Sequence, residues 1–222
     1  MGKTLSLTAS DGHKLGAYRA DPPGKPRGGL VVIQEIFGVN SHIRELCDGF
    51  AKDGYAALAP ALFDRIRPGI ELGYEAKDIA EGRELRTKVA WDDTFKDTAA
   101  AIKAVSDAGK VGIVGYCWGG SIAWRAAANL SGLSGAVGYY GGMIAEFKHE
   151  KPKIPVLLHF GETDASIPLA DVEAVRKIHP QVPIYIYPAG HGFSCDHRAS
   201  FHRPSHEEAL RRTMDFFARY LG

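Results

Sequence analysis

Apolar residues along the chain form short continuous runs, and these alternate with longer segments that carry an apolar stripe. The run GLVVIQ at Gly29–Gln34 is typical of a strand buried on both faces of a parallel sheet. His42–Lys52 instead spaces its apolar residues three and four positions apart, as one face of a helix does. The strands predicted in this way are Thr4–Thr8, Leu15–Tyr18, Gly29–Gln34, Tyr55–Ala59, Val111–Gly115, Gly135–Tyr140, Ile154–Phe160 and Val182–Tyr187. The predicted helices are His42–Lys52, Asp92–Ala108, Ser121–Leu130, Leu169–Ile178 and Ser205–Tyr220.

Strands and helices that alternate in one run predict an α/β fold with a mostly parallel central sheet and helices on both faces. No linker-like stretch interrupts the pattern, so we expect a single domain over residues 1–222. The first two strands, joined through Asp11–Gly12, are expected to form an antiparallel hairpin at the sheet edge. Residues 61–90 are more polar, and we expect them to form a flap beside the functional site.

The composition of the chain argues against several classes of function. The chain has 222 residues, 45% of them hydrophobic and 24% charged, with a formal net charge of +1. That balance gives no reason to expect binding to nucleic acid or to an anionic membrane. No apolar run reaches the length of a membrane span, and the first residues lack a signal-peptide core. Three widely spaced cysteines argue against a disulfide framework, so we expect a cytoplasmic protein.

The strand Val111–Gly115 leads into Gly115-Tyr116-Cys117-Trp118-Gly119 and then into a helix rich in small residues. This Gly-x-Cys-x-Gly pattern is the nucleophile elbow of an α/β-hydrolase, with a thiol in place of the usual serine. A side chain at either glycine is expected to crowd the backbone of so sharp a turn. The helix N-terminus also favours a thiolate, so Cys117 is the predicted nucleophile.

A thiol nucleophile needs a base, and the base needs an acceptor that orients it. In this fold the acid and then the histidine follow the nucleophile, each after a strand. Asp164 lies just beyond Ile154–Phe160, and His191 follows Val182–Tyr187 between two glycines. We therefore predict a catalytic triad of Cys117, His191 and Asp164, with Glu162 as the alternative acid.

Other potential ligands are less convincing. His202 and His206 are four residues apart and His197 is close by, which could suit a metal ion, but no carboxylate pattern accompanies them. We predict neither a metal nor an organic cofactor. Cys47 falls on an apolar helix face and is expected to serve packing, and a structural role is also favoured for Cys195.

Glu35 stands directly after the buried strand, where a carboxylate is costly unless it is paired, protonated or functional. It belongs to one of five motifs: QEIFGVN, GYCWGG, GYYGG, GETDASIP and GHGF. Together these motifs resemble the dienelactone hydrolase (carboxymethylenebutenolidase) family over nearly the whole chain.

The resemblance implies a single-domain α/β-hydrolase fold and the triad named above. It implies that Glu35 contacts the resting thiol and moves when substrate binds. It places the oxyanion hole at the backbone N–H groups of Ile36 and Trp118, in agreement with the elbow rule. By the same analogy, Tyr139 and Tyr140 are expected near the substrate pocket.

One departure from the family bears on the substrate. Well-known members have an arginine four residues after the catalytic histidine, and here that position is Cys195. Arg83 could correspond to a second family arginine, and Arg198 could replace the missing one. Because a bidentate arginine–carboxylate contact is not easily replaced, dienelactone itself is an uncertain substrate.

The sequence thus predicts a cysteine hydrolase that acts on a small lactone or activated ester through a thioester at Cys117. A broader carboxylesterase or thioesterase is the alternative, and a non-catalytic ligand-binding relative is a further one. We expect a monomer or a weak homodimer.

Overall fold

The computed structural model describes residues 2–222. Its strands are β1 (Lys3–Thr8), β2 (Lys14–Ala20), β3 (Gly29–Ile33), β4 (Ala56–Pro60), β5 (Val111–Tyr116), β6 (Leu133–Tyr139), β7 (Val156–Gly161) and β8 (Ile184–Tyr187). Its α-helices are α1 (Ser41–Lys52), α2 (Ala76–Lys88), α3 (Trp91–Val105), α4 (Trp118–Asn129), α5 (Leu169–Ile178) and α6 (Arg203–Tyr220). Short 3₁₀ turns cover Leu62–Arg65 and Ser106–Ala108.

All eight strands join one sheet in the order β1-β2-β4-β3-β5-β6-β7-β8. β2 runs antiparallel to both of its neighbours, and every pair from β4 to β8 is parallel. The predicted α/β class and its mostly parallel sheet are therefore confirmed. β1 and β2 form the expected hairpin at one edge, where Gly12 turns the chain with a φ of 86°.

The centre of the sheet is its most apolar part. Every residue of β3, β4 and β5 is buried, which agrees with the continuous apolar runs that predicted them. Helices cover both faces. α1 and α6 lie together on one face, where they line a common cavity, and α3 packs beside α4 on the other.

The region expected to be a polar flap contains a helix that the apolar pattern did not predict. Only Gly82 and Leu85 of α2 are buried, so the helix has almost no apolar stripe. A capping box defines its start, because Glu75 and Asp78 each accept a hydrogen bond from the other's backbone N–H. A methyl group at Gly82 would collide with the carbonyl oxygen of Ile36, so glycine allows this helix to lie directly against the segment after β3.

The predicted site residues follow the carboxyl ends of β3, β5, β7 and β8. Parallel strands bring these ends to the same edge of the sheet, where sites of open α/β sheets form. Among residues 2–222, no helix has the length and apolar character needed to cross a membrane.

Candidate active site

Cys117 occupies a backbone conformation that is rare for any residue other than glycine. Its φ is 55° and its ψ is −116°, at the junction between β5 and the first turn of α4. The flanking glycines have the predicted role. A side chain at Gly115 would collide with the carbonyl oxygen of Gly119, and one at Gly119 would lie 2.6 Å from the carbonyl oxygen of Gln34. The turn therefore presents the thiol above the sheet edge.

Three side chains from distant parts of the chain form one line of contacts. His191 Nε2 lies 3.1 Å from Cys117 Sγ, and His191 Nδ1 lies 2.7 Å from Asp164 Oδ2. The other carboxylate oxygen of Asp164 accepts a hydrogen bond of 2.8 Å from the backbone N–H of Ser166. Glu162 is exposed, whereas Asp164 is buried, so the structure brings Asp164 and not Glu162 to the histidine.

Burial and hydrogen bonding have opposite effects on the pKa of His191. Burial lowers the pKa of the imidazole, because it disfavours the charged form. Hydrogen bonds to Asp164 and to Cys117 outweigh burial and raise the pKa of His191 to about 10. The imidazolium form is thus favoured at neutral pH, and it is oriented by a carboxylate on one side and directed at the thiol on the other.

Two backbone N–H groups are available beside the thiol. Those of Ile36 and Trp118 donate to no other group within residues 2–222, and both residues line the cavity at Cys117. The indole of Trp118 stacks on the ring of Phe63, with ring centroids 5.5 Å apart and planes 14° from parallel. This packing connects the first turn of α4 to the 3₁₀ turn Leu62–Arg65 that follows β4.

The cavity at Cys117 has a volume of about 560 Å³. One wall is a face of α2 that contributes Ile79, Arg83, Arg86 and Thr87. The rest of the lining comes from Ile36, Phe37, Cys117, Trp118, Ser121, Gly142, Met143, Glu146, Ser166, His191 and Arg198. The residues expected to hold the oxyanion and the two arginines singled out from the sequence are therefore brought together with the thiol.

Known proteins resemble this chain over nearly its whole length. The Dienelactone hydrolase family matches residues 15–221. This chain belongs to the dienelactone hydrolase family. The carboxymethylenebutenolidase of Pseudomonas putida is 31% identical, with 96% of this chain and 95% of that protein covered. A Synechocystis protein named "putative carboxymethylenebutenolidase" is 33% identical, with 96% and 95% covered. A Klebsiella pneumoniae crystal structure, titled "putative dienelactone hydrolase", superposes with a TM-score of 0.87 at 32% identity over 99% of this chain and 100% of that one.

Membership of the dienelactone hydrolase family establishes the chain as a hydrolase of ester bonds with an α/β-hydrolase fold. Solved structures that are less similar in sequence share this fold. One is a dienelactone hydrolase-like promiscuous phosphotriesterase from metagenomic libraries, with a TM-score of 0.79 at 20% identity.

Glu35 differs from the arrangement that the family resemblance implied. Its side chain is 1% exposed, and its Oε1 accepts a hydrogen bond of 3.2 Å from Arg198. Within residues 2–222 no hydrogen bond joins Glu35 to Cys117, whose sulfur is paired with His191 instead. Arg198 also lies over the rings of Phe37 and Tyr74, at 5.8 and 5.7 Å from their centroids. The guanidinium is therefore fixed beside the cavity by one buried carboxylate and two aromatic rings.

The two tyrosines expected near the substrate pocket are placed differently. Tyr139 does not reach the cavity, because its ring stacks on Tyr116 and its hydroxyl lies 2.6 Å from that of Thr213, inside the core. Tyr140 is fully buried and its ring centroid lies 5.1 Å from that of His191. Its φ of 37° directs the chain away from β6 at this point. Tyr140 thus supports the histidine from behind.

The three histidines that the sequence offered as metal ligands have other side-chain partners. His197 contacts Glu45 at 2.8 Å, and His202 and His206 contact serine hydroxyls at 2.7 Å. Cys47 is fully buried in the core, where burial raises the pKa of its thiol. Two groups bring potential metal-binding atoms within 4.8 Å of one another: Glu35, His42 and Cys195, and His42, Asp196 and His197.

Sequence reasoning missed Arg86, Met143 and Ser166 in the cavity lining. Arg86 lies one turn after Arg83 on α2, and its guanidinium is 2.8 Å from Met143 Sδ. The signal that could have found it is the spacing of three and four residues that links Ile79, Arg83 and Arg86 on one helical face.

Proposed function

We propose that this enzyme hydrolyses lactones or activated esters that carry a carboxylate, through a thioester at Cys117. The observation that supports it most directly is the unbroken line of contacts from Cys117 Sγ through both nitrogens of His191 to Asp164. A binding protein has no need for a thiol, a base and an acid in this geometry.

In the proposed reaction the thiolate of Cys117 attacks the carbonyl carbon, and the N–H groups of Ile36 and Trp118 stabilise the oxyanion. The C–O bond to the leaving group breaks, and the imidazolium of His191 supplies the proton that the leaving oxygen needs. A water molecule then gives a proton to His191 and attacks the thioester. Collapse of the second adduct releases the carboxylic acid and restores the thiol, with Asp164 orienting the imidazole throughout.

The thiol restricts the leaving group. A tetrahedral adduct expels the weaker base, and a thiolate is a weaker base than an alkoxide. Adducts of simple alkyl esters should therefore return to reactant, whereas enols and phenols leave readily. This argument favours enol lactones and aryl esters as substrates.

The charge of the cavity favours a substrate anion. Arg83, Arg86 and Arg198 line it together with a single carboxylate, that of Glu146. Neither Arg83 nor Arg86 forms an ion pair within residues 2–222. Arg198 is held by Glu35 and is thereby presented to the cavity, where a substrate carboxylate can share its donors. We propose that Arg198, held in this way, takes the role of the family arginine whose position is occupied here by Cys195.

The test compares four substrates: an enol lactone with a carboxylate, its methyl ester, an aryl ester and an alkyl ester. We expect the free carboxylate to raise kcat/KM of the lactone by about tenfold or more over the methyl ester, and the alkyl ester to react slowest. Cys117→Ala should reduce kcat by at least about 10³-fold. Cys47→Ala is the matched control, because it removes a buried thiol outside the cavity, and it should keep the rate per folded molecule.

Mass spectrometry of quenched reactions should find the acyl group on the peptide that contains Cys117. Equal losses in both cysteine variants, or an acyl group on Ser166, would overturn the assignment of the nucleophile. Failure of the intact protein to turn over any of the four substrates would overturn the proposed substrate class.

A further inference from the structure

Behind the catalytic thiol, Glu35, His42 and Cys195 form a second cluster of reactive side chains, which we call the inner cluster. The three belong to separate parts of the chain: the end of β3, the first turn of α1 and the loop after β8. All three are buried, with exposed fractions of 1%, 2% and 0%. One carboxylate oxygen, one ring nitrogen and the sulfur lie within 4.8 Å of one another.

Two atoms of the inner cluster have no partner. Glu35 Oε2 and His42 Nε2 are buried, and neither forms a hydrogen bond within residues 2–222. Buried polar atoms are nearly always paired, so a carboxylate oxygen and an imidazole nitrogen that both lack a partner in one cluster require an explanation. The other oxygen of Glu35 is already bound by Arg198, which leaves Oε2 free for a further ligand.

His42 is oriented in the way that metal-binding histidines are. Its Nδ1 lies 3.3 Å from a carboxylate oxygen of Asp196, which is 61% exposed. This contact keeps a carboxylate beside Nδ1, and it leaves Nε2 as the buried ring nitrogen that has no partner within residues 2–222. The same carboxylate–histidine arrangement stands behind many zinc sites.

Opposing influences act on the thiol of Cys195. Burial and the charge of Glu35 raise its pKa to about 12, although the hydroxyl of Tyr74 and the backbone N–H of His197 act to lower it. Tyr74 is in turn held by the side-chain amide of Asn40, at 3.2 Å. The thiol therefore keeps its proton at neutral pH unless a cation displaces it.

From this geometry we propose that the inner cluster binds one divalent cation of the zinc class. Glutamate oxygen, histidine nitrogen and cysteine sulfur are all zinc ligands, and the negative charges of Glu35 and Cys195 would be shared between the ion and the guanidinium of Arg198. The three atoms are at most 4.8 Å apart, which puts their centre about 2.8 Å or less from each, against roughly 2.0 to 2.3 Å in zinc sites, so each ligand moves inward by at most about 0.8 Å. Binding displaces the thiol proton of Cys195 to solvent.

One member of the inner cluster, His42, also borders a second cavity that is separate from the catalytic one. A cavity of about 180 Å³ between α1 and α6 is lined by His42, Ser194, Asp196 and His206. A bound ion would tie together the end of β3, α1 and the loop after His191. It would also fix Glu35, the carboxylate that holds Arg198.

The outer group of His42, Asp196 and His197 is the alternative location on this surface. Its members are less suited, because Asp196 is largely exposed and His197 Nε2 is already engaged by Glu45 at 2.8 Å. It also lacks a sulfur ligand. The two locations can be distinguished because only the inner one uses Cys195.

The test is made in the Cys117→Ser background, so that the catalytic thiol cannot bind the metal and failure of the proposed hydrolytic mechanism has no bearing on the result. Equilibrium dialysis against Zn²⁺ should give one ion per chain. Adding Cys195→Ser or His42→Gln should weaken binding by at least about tenfold, while adding His197→Gln should leave it unchanged. Circular dichroism confirms that each variant is folded, and Cys195→Ala replaces Cys195→Ser if that one is not.

A second readout uses Co²⁺, whose complexes with thiolate absorb in the near ultraviolet. We expect this band in the Cys117→Ser protein and its loss on adding Cys195→Ser. Zn²⁺ should also raise the Tm of the first protein but not of the second. Absence of stoichiometric binding would overturn the proposal and leave a bridging water as the occupant. Binding that survives Cys195→Ser, or that is lost on His197→Gln, would overturn it too.

Discussion

Two histidines at the same end of the sheet have opposite properties: His159 is fully buried, and His191 is only partly buried. His159 is in β7 and His191 follows β8, and both use two ring nitrogens in contacts with side chains. The partners of His159 are the hydroxyls of Tyr187 and Thr213, at 2.8 and 3.1 Å. Burial, assisted by the charge of Arg212, lowers the pKa of His159 to about 3, whereas the partners of His191 raise its pKa to about 10.

The difference lies in the charge of the partners. A hydroxyl can satisfy a neutral imidazole but cannot offset the cost of burying an imidazolium, so His159 stays neutral. A carboxylate and a thiol that can become anionic do offset that cost, so His191 can carry a proton to a substrate. One region therefore uses histidine to complete the core, and the other uses it for acid–base chemistry.

The largest expected effect is a contrast between activity and stability: loss of His191 mainly reduces the rate, whereas loss of His159 mainly reduces the stability. His191→Ala should reduce kcat by at least about 10³-fold, and its cost in free energy of unfolding should disappear as the pH approaches 10. His159→Ala should cost about 2 to 4 kcal/mol in stability, because it leaves a cavity and removes a partner from each of two buried hydroxyls. It should keep kcat per folded molecule within a factor of about 2.

Urea unfolding and initial rates, measured on the same preparations, test this contrast between the two variants. His159→Gln, which can still hydrogen-bond, should recover part of the lost stability. If His159→Ala reduced kcat as severely as His191→Ala while remaining folded, the division between a structural and a chemical region would be wrong.

The same two regions differ in how far the sequence predicts them. The elbow is encoded locally, because Gly115, Cys117 and Gly119 define both the turn and its nucleophile within a few residues. Asp164 and His191 could be placed because each follows a predicted strand, and parallel strands end at one edge. The partners of His159 could not be predicted from the sequence. Thr213 comes from α6, and the sequences of the two segments do not determine the register in which a helix packs against a sheet.

Three features of the site and its surroundings show the same limit. α2 was missed because a helix held by a close glycine contact at Gly82 has no apolar stripe to reveal it. The ion pair between Glu35 and Arg198 joins residues 163 positions apart, and Tyr139 was assigned to the pocket by analogy although its hydroxyl turns into the core. Local motifs thus predict the nucleophile and its partners, whereas the substrate-facing surface depends on tertiary packing.

An effect of intermediate size on the rate is expected when Asp164, the carboxylate that contacts His191 but not His159, loses its charge. Asp164→Asn should lower the pKa of His191 and reduce kcat by about 10²- to 10⁴-fold, because the orienting charge is lost while the shape is kept. Glu162→Gln is the matched control, since Glu162 is exposed two residues away on the same loop.

NMR titration of the imidazole and the pH profile of kcat/KM provide the measurements. A His191 pKa that is unchanged in Asp164→Asn, or a larger loss of rate in Glu162→Gln than in Asp164→Asn, would transfer the acid role to Glu162.

The smallest effect is on stability, and its sign should be opposite for the two histidines. His159 has a pKa of about 3 in the folded protein, against an ordinary value of 6.5. Below pH 6.5 the unfolded chain therefore binds a proton at His159 that the native protein does not bind. His159 therefore makes stability decrease as pH falls from 6.5. His191 has a folded pKa of about 10, so its stabilising contribution is complete below pH 6.5 and is lost as pH rises towards 10.

Urea unfolding at about pH 5, 6.5, 8 and 9.5 measures both slopes in the parent protein. His159→Gln should flatten the acid side of the stability profile and leave the alkaline side unchanged, and His191→Gln should do the reverse. Profiles that stay parallel to the parent on both sides would mean that neither histidine changes its proton affinity on folding. The contrast between hydroxyl partners and ionisable partners would then no longer explain why one imidazole is structural and the other is placed for catalysis.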